Sequence, residues 1–306
     1  MRVTMQNLYT NNLNSLQNTT ADVARLNQMT SQGLSILAPS DDPIGAVRVM
    51  ASERDLAAVG QYIKNIDAVS TSLGRAETHL SSMVEVQLRM REIGVLASNG
   101  TLSVSDRSAY AAELDELLKS LVSSINAKDD GGNSIFAGNL VDKATVVLDA
   151  SGKYVYQGDN NTRQVQTSPS SWIESNATAQ EVLFGNGSQD ILNATVDFVK
   201  ALKDPSLSPG LPGFTAATAS FQSSLDDTLN SINAVITDFG GKQNSLSLMK
   251  ASHEEMTLFN KQVIGETQEL DYAAATAEFN VKLTALKVTQ QTFVQVSSLS
   301  LFDHMR

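Results

Sequence analysis

The sequence predicts a mainly α protein: long helices in coiled-coil packing, formed by both ends of the chain, with a small antiparallel β domain inserted between them. The first observation behind this is a heptad pattern. Val59, Ile66, Leu73, Leu80 and Gln87 lie seven apart, with Tyr62, Val69, Ala76, Met83 and Met90 as the companion series. Only Gln87 is polar, and apolar heptads sustained this long mark a helix packed along its length. The second observation is the placement of helix breakers. Proline is absent from Ile44 to Ser168 and again after Pro212, while half of the 18 glycines lie between Gly131 and Gly213. Two helical arms thus flank an irregular section. The third is charge. Residues 1–40 carry only Arg2, Asp22 and Arg25, and residues 271–306 balance three acids with three bases. The stretch between holds 29 acids against 17 bases, a net −12 of the overall −11. Amide-rich, charge-poor ends suit surfaces that meet other chains.

The expected organisation is therefore a terminal coiled-coil region from 1–40 and 271–306, disordered in the free subunit and ordered on assembly. A long-helix domain comes from 41–135 and 214–270, and an inserted β domain from 136–213. At the start, Leu13, Leu16, Val23 and Leu26 form a 3-7-3 apolar fragment. Asp41-Asp42 between Pro39 and Pro43 reads as a rigid turn, with Asp42 capping a helix that has Pro at its first position. That helix, from about Ile44 to Ser98, would span roughly 80 Å. Asn99-Gly100 ends it, and Ser103 with Asp106 forms a capping pair for a helix whose apolar face is Tyr110, Leu114, Leu117, Leu121 and Ile125.

After the turn at Asp129–Asn133 come three β-type runs, at 146–148, 153–157 and 163–167. Trp172, the only tryptophan, is expected in the core of this β domain. The returning arm carries Leu225, Ile232, Phe239, Leu246 and His253 at heptad spacing, with Val235, Met249, Met256 and Val263 beside them. Gly240-Gly241 interrupts it, and two glycines at about 1 kcal/mol each predict a bend or break. Tyr272, Phe279, Leu286 and Phe293 form a last heptad ladder, able to pair with the first segment as an antiparallel coiled coil.

Composition excludes several functions. With no cysteine there is no disulfide scaffold, thiolate metal site or cysteine nucleophile. No run approaches the roughly 18 apolar residues of a membrane helix, and the acidic balance argues against nucleic acid. His79, His253 and His304 are far apart. His253-Glu254-Glu255-Met256-Thr257 has Thr257 where a zinc protease helix needs its second histidine. No nucleophile elbow, phosphate loop or dinucleotide fingerprint is present, so no catalytic, cofactor or metal residue is expected. An enzyme acting on a glycan held by the insert would need convergent acids, and Asp149, Asp159, Glu174 and Glu181 show no such arrangement.

Particular segments carry a resemblance. Met1-Arg2-Val3-Thr4, the run Leu37–Pro43, Leu88-Arg89-Met90-Arg91-Glu92-Ile93, and Ser98–Ser103 with Asp106-Arg107 resemble bacterial flagellin-type axial proteins. Pro39-Ser40-Asp41-Asp42-Pro43, Ser134-Ile135-Phe136-Ala137-Gly138, Tyr156-Gln157-Gly158-Asp159 and the ending Leu299–Asp303 are similar to the flagellar hook-associated protein 3 family, FlgL. Two departures stand out. Gln32-Gly33-Leu34-Ser35 replaces a pattern with two positive charges, and Gly94 stands where the family has Ala, which should loosen the helix end.

The resemblance implies a structural subunit of the flagellum at the hook–filament junction. It would contact a hook-side junction protein, flagellin and copies of itself in a ring, with an export chaperone as a further partner. Export would run through the flagellar secretion apparatus without a cleaved signal, to an extracellular position. Flagellin itself, the bulk filament subunit, is the alternative. Leu13, Leu16, Val23, Leu26, Tyr272, Phe279, Leu286, Phe293, Leu299 and Leu301 are the expected subunit contacts.

Overall fold

The computed structural model describes residues 5–184 and 190–304, with side chains described over 7–184 and 190–295. Helices α1 (Met5–Gln32), α2 (Pro43–Ala97) and α3 (Val104–Ile125) come first. Strands β1 (Val146–Leu148), β2 (Tyr154–Tyr156), β3 (Gln164–Ser168) and β4 (Ser171–Glu174) follow, then a π-helical turn (Gln180–Phe184) and α4 (Ile191–Lys203). Helices α5 (Pro212–Gln268) and α6 (Tyr272–His304) complete the order. The chain forms two compact units. One is built from both ends, with inner limits at Val59 and Glu255; the other is Gly60–Glu254.

Helix α2 begins as its sequence dictates. The Asp42 carboxylate accepts hydrogen bonds from the Ile44 and Gly45 N–H groups, and Pro43 takes the first helical position, where no N–H is needed. Ser103 and Asp106 form a full capping box at the start of α3, each accepting from the other's backbone N–H. These bonds hold the Asp106 carboxyl below its ordinary range, the Ser103 hydroxyl being the largest cause.

In the unit from Gly60 to Glu254 the heptad ladder is closed. Leu73, Leu80, Met83 and Met90 of α2 are fully buried, as are Leu114, Leu121 and Ile125 of α3 and Leu225 and Ile232 of α5. A ring cluster lies within the same core, with Phe198 of α4 stacked on Phe221 of α5 at 4.7 Å and edge-on to Phe214 at 6.1 Å. Arg107, itself buried, lies over the Phe214 ring and donates to the Leu207 carbonyl. Gln87, the polar exception in the ladder, is fully buried and its amide has no hydrogen-bond partner among the described residues.

Three expectations need correction. Helix α5 runs unbroken through Gly240-Gly241. A Cβ at either glycine would meet nothing within 4 Å, and the helix is held by its packed face, which outweighs roughly 2 kcal/mol of glycine cost. Trp172 is not in a core: it is 59% exposed, on the solvent side of β4 opposite Gln166, because strand alternation turns Thr167 inward instead. The inserted antiparallel β region is present as expected, built as two separate pairs, β1–β2 and β3–β4, with the unforeseen amphipathic helix α4 beside them. Gly94 does not loosen α2, which continues to Ala97; a Cβ there would stand 2.9 Å from the Phe221 ring, so glycine makes room for that ring.

Such small sheets need their outer edges satisfied. Asn126, the C-cap of α3, donates to the Val146 carbonyl and accepts from the Val146 N–H. Asn193 of α4 does the same for both backbone groups of Tyr154. Two asparagines thus stand in for the missing strands on either side of β1–β2. The β3–β4 hairpin is tied to long helices instead: Asn65 donates to the Gln166 carbonyl, His253 Nε2 lies 2.8 Å from the Thr167 carbonyl, and Lys242 pairs with Glu174.

Candidate assembly surfaces

At the ends of the chain, α1 and α6 pack antiparallel. Tyr9 meets Phe293, ring centroids 5.3 Å apart, and Asp22 pairs with Lys282 at 2.7 Å. Both pairs fit one antiparallel register, and the ladder residues fall on the shared seam. Leu26 is buried, while Leu13, Leu16 and Val23 of α1 and Phe279, Leu286 and Phe293 of α6 are half-buried. The seam therefore brings most of the expected contact residues against one another within a single chain. Tyr272 is apart from it and 53% exposed. Its hydroxyl would lie 2.8 Å from a Cβ at Gly33, where φ of +72° already favours glycine. Leu299 and Leu301 have side chains outside the described residues, as does the Met1–Thr4 segment.

The linkers beside this pair are tied together. Ser35 N–H donates to the Gln268 carbonyl and Leu270 N–H to the Gly33 carbonyl, joining the α1–α2 and α5–α6 connections. Asp41 organises the first linker by accepting from the Leu37 and Ala38 N–H groups and pairing with Arg25 at 2.8 Å. The Ala38 and Leu37 bonds, then the Arg25 charge, hold its carboxyl below the ordinary range. The Pro39–Pro43 run is thus a structural clasp, one acid closing the turn and the next capping α2.

Outside the seam, the same unit exposes large apolar side chains. Ile44, Val47 and Met50 on α2 are 83%, 66% and 63% exposed, and Leu258 and Phe259 on α5 are 68% and 64% exposed. On α6, Val281 and Val288 face outward. Sequence reasoning missed the α2 and α5 patches because heptad counting follows the buried stripe and passes over what lies opposite it.

The four acids weighed for catalysis serve separate structural roles. Asp149 accepts from Ser151 and from the Lys153 N–H, closing a turn. Asp159 accepts from the Asn139 N–H and from Asn161. Lys242, then Thr162, holds the Glu174 carboxyl below its ordinary range. Glu181 lines an open groove of about 630 Å³ with Asp238. No metal-holding group of His, Asp and Glu occurs among the described residues, and no helix there is long and apolar enough to cross a membrane.

Residues 3–140 match the bacterial flagellin N-terminal helical region. Flagellar hook-associated protein 3 of Escherichia coli is 28% identical over 317 residues, covering 99% of both chains. A solved flagellar hook-associated protein of Vibrio parahaemolyticus is 34% identical, with a TM-score of 0.70 over 75% of this chain and 100% of that one. This chain belongs to the flagellar hook-associated protein 3 family. The flagellar junction protein FlgL of Legionella pneumophila shares the fold, at 17% identity and a TM-score of 0.61 over 72% of this chain and 100% of that one. Flagellin of Listeria monocytogenes is 33% identical over only 91 residues, 30% of this chain and 32% of that protein.

In this hook-associated protein, two of the motifs that carried the resemblance meet. Asp159 of Tyr156–Asp159 donates its N–H to the Ala137 carbonyl, and Tyr156 donates its hydroxyl to the Asp159 carbonyl. Gly138, at φ +70°, lies where a Cβ would collide with Asp159. Burial, then the Asp159 charge, pushes the Tyr156 hydroxyl up to about 12, so it stays a donor. The Leu88–Ile93 run has the same logic: Met90 and Ile93 are buried, Arg89 bridges to Glu113 of α3, and Arg91 pairs with Asp226 of α5.

Proposed function

We propose that this chain is a structural subunit of the flagellar hook–filament junction, joining a hook-side junction protein to flagellin through copies of itself arranged in a ring. The observation that carries this is the match to hook-associated protein 3 along 99% of both chains, against a flagellin match confined to 30% of this one. The half-buried α1–α6 seam supports it. A single partner helix covers only one side of each ladder helix, so full burial calls for neighbours. In this reading the ends gain most of their helix stability on assembly. The subunit has no catalytic role and passes unfolded through the flagellar secretion apparatus, with an export chaperone holding it beforehand. The absence of cysteine and the low charge of the ends suit such a passage.

Imaging detached hook and filament ends with an antibody to residues 136–213 tests the assignment. A band confined to the junction is the expected result, and label along the whole filament would make the chain a flagellin instead. For the ends, circular dichroism of the monomer with and without 1–40 and 271–306 should show less helix lost per residue than for central deletions. Equal loss would defeat assembly-coupled ordering.

A further inference from the structure

Within the Gly60–Glu254 unit, the exposed Trp172 stands beside a polar groove of about 630 Å³ between the insert and α5. Among the described residues that line it, only Ala234 and Val235 are apolar. The side chains of Asn160, Glu181 and Ser231 line the same groove, and none of the three has a hydrogen-bond or ion-pair partner among the described residues. Thr162, also in the lining, donates to the Glu174 carboxylate at 3.0 Å. Lys242 links that carboxylate, at 3.0 Å, to Asp238 of the lining, at 2.7 Å. Trp172 lies two residues from Glu174 on β4, hence on the same face of the strand and roughly 7 Å along it. Ile173, between them, packs on the core instead. The 59% exposed indole therefore continues the rim of the groove.

These groups define a ligand chemistry. A lining with so little apolar surface offers nothing to a lipid or an aromatic molecule. The carboxylates of Glu181 and Asp238 repel phosphates, nucleotides and acidic sugars. What fits is an uncharged molecule rich in hydroxyls, with one flat apolar face. Side-chain hydroxyls, amides and carboxylates pair with sugar hydroxyls as donors and acceptors. An exposed indole offers its face to the C–H side of a pyranose ring. We propose that the groove and Trp172 form a binding site for a neutral oligosaccharide, its hydroxyls held by Asn160, Glu181 and Ser231 and one sugar ring stacked on Trp172. The site gives the insert a role separate from the junction contacts, and it stands whether or not that reading holds.

The span sets the size of the ligand. From Ser231 to Asp238, both in the lining, α5 advances roughly 10 Å. Trp172 lies outside the groove, on the far side of Glu174 from Thr162. A monosaccharide cannot reach both, so affinity should rise with chain length until both are engaged. Sugar hydroxyls exchange water for protein partners at small net gain, which puts the affinity in the millimolar range.

Trp172 is the sole tryptophan, so its emission reports on the site directly. The purified full chain is titrated with tetrasaccharides of glucose, mannose, galactose and N-acetylglucosamine, with tetragalacturonate as the acidic comparison and tetralysine as the peptide one. At least one neutral tetrasaccharide should shift the emission saturably at millimolar concentration, and its monosaccharide should bind at least about tenfold more weakly. Tetragalacturonate and tetralysine should leave the emission unchanged. Calorimetry then reads two variants, Trp172→Ala and Ala234→Phe, the second filling the groove from an exposed position. Each should weaken binding at least about tenfold. Both positions are exposed, so each variant should keep the wild-type thermal midpoint, and either one that does so suffices for the test. Silence toward every neutral tetrasaccharide, binding of tetragalacturonate or tetralysine instead, or wild-type affinity in a folded variant would overturn the proposal.

Discussion

The ladder of α2 between Gly60 and Ala97 and the ladder of α6 follow the same seven-residue rule, yet they end in different states. Leu73, Leu80 and Met83 are sealed by side chains from α3, α4, α5 and the insert. Phe279, Leu286 and Phe293 have α1 as their covering and remain half-buried. A heptad pattern thus specifies that a stripe will be covered, and the number of covering elements within the chain decides whether one chain suffices. The closed region supplies stability within one chain, and under the proposed function the open one supplies the reason to assemble.

The largest effect that sharpens this contrast is Phe221→Ala. The ring stacks on Phe198 and fills the space over Gly94, so its loss should cost about 3–5 kcal/mol in denaturant unfolding of the monomer. A loss below about 1 kcal/mol would mean that the closed core is looser than its burial indicates. Phe279→Asp should act on the other side of the comparison. It puts a charge into the seam, and subunits should drop out of filaments while the Gly60–Glu254 unit unfolds at its wild-type midpoint. Normal incorporation of this variant would remove the seam from the assembly mechanism.

Two substitutions of one kind should have opposite signs. Gly94→Ala crowds Phe221 and should destabilise by about 1–3 kcal/mol. Gly240→Ala places its methyl in open space and should stabilise by about 1 kcal/mol, read as a rise in the thermal midpoint. Equal shifts would show that neither glycine answers to its surroundings. The smallest effect concerns pH. The Asp41 carboxyl titrates below its ordinary range, so the bonds it holds are present above that range and are lost as pH falls through the lowered value. Amide exchange at Leu37 and Ala38 should accelerate only in that acid window, and Asp41→Ala, which removes the acceptor, should already show the fast rate at neutral pH.

Much of the helical frame was legible because its determinants are local. Asp42-Pro43 and Ser103 with Asp106 fix helix starts within one turn, and Asn99-Gly100 marks an end. The insert was less legible because its strands are three to five residues long, and what holds them lies elsewhere in the chain. Asn126 and Asn193 cap β1–β2 from helices, which no alternation within the strands reports. Helix α4 went unread for a similar reason: it is 13 residues, too short for heptad counting to single out. Of the candidate assembly surfaces, the seam was visible as a ladder, whereas the exposed stripe of Ile44, Val47 and Met50 appears only once the opposite side of α2 is known to be covered.

By itself, the sequence determined that the ends pair and that the middle is an irregular insert, because periodicity and turn residues act at short range. The tertiary structure alone decided that Gly240-Gly241 stays helical, that Gly94 is a socket for a phenyl ring, that Trp172 faces water, and which apolar side chains remain uncovered. Each of these depends on what a distant segment brings to the same point in space, and burial, unlike helix capping, belongs to the neighbours as much as to the residue.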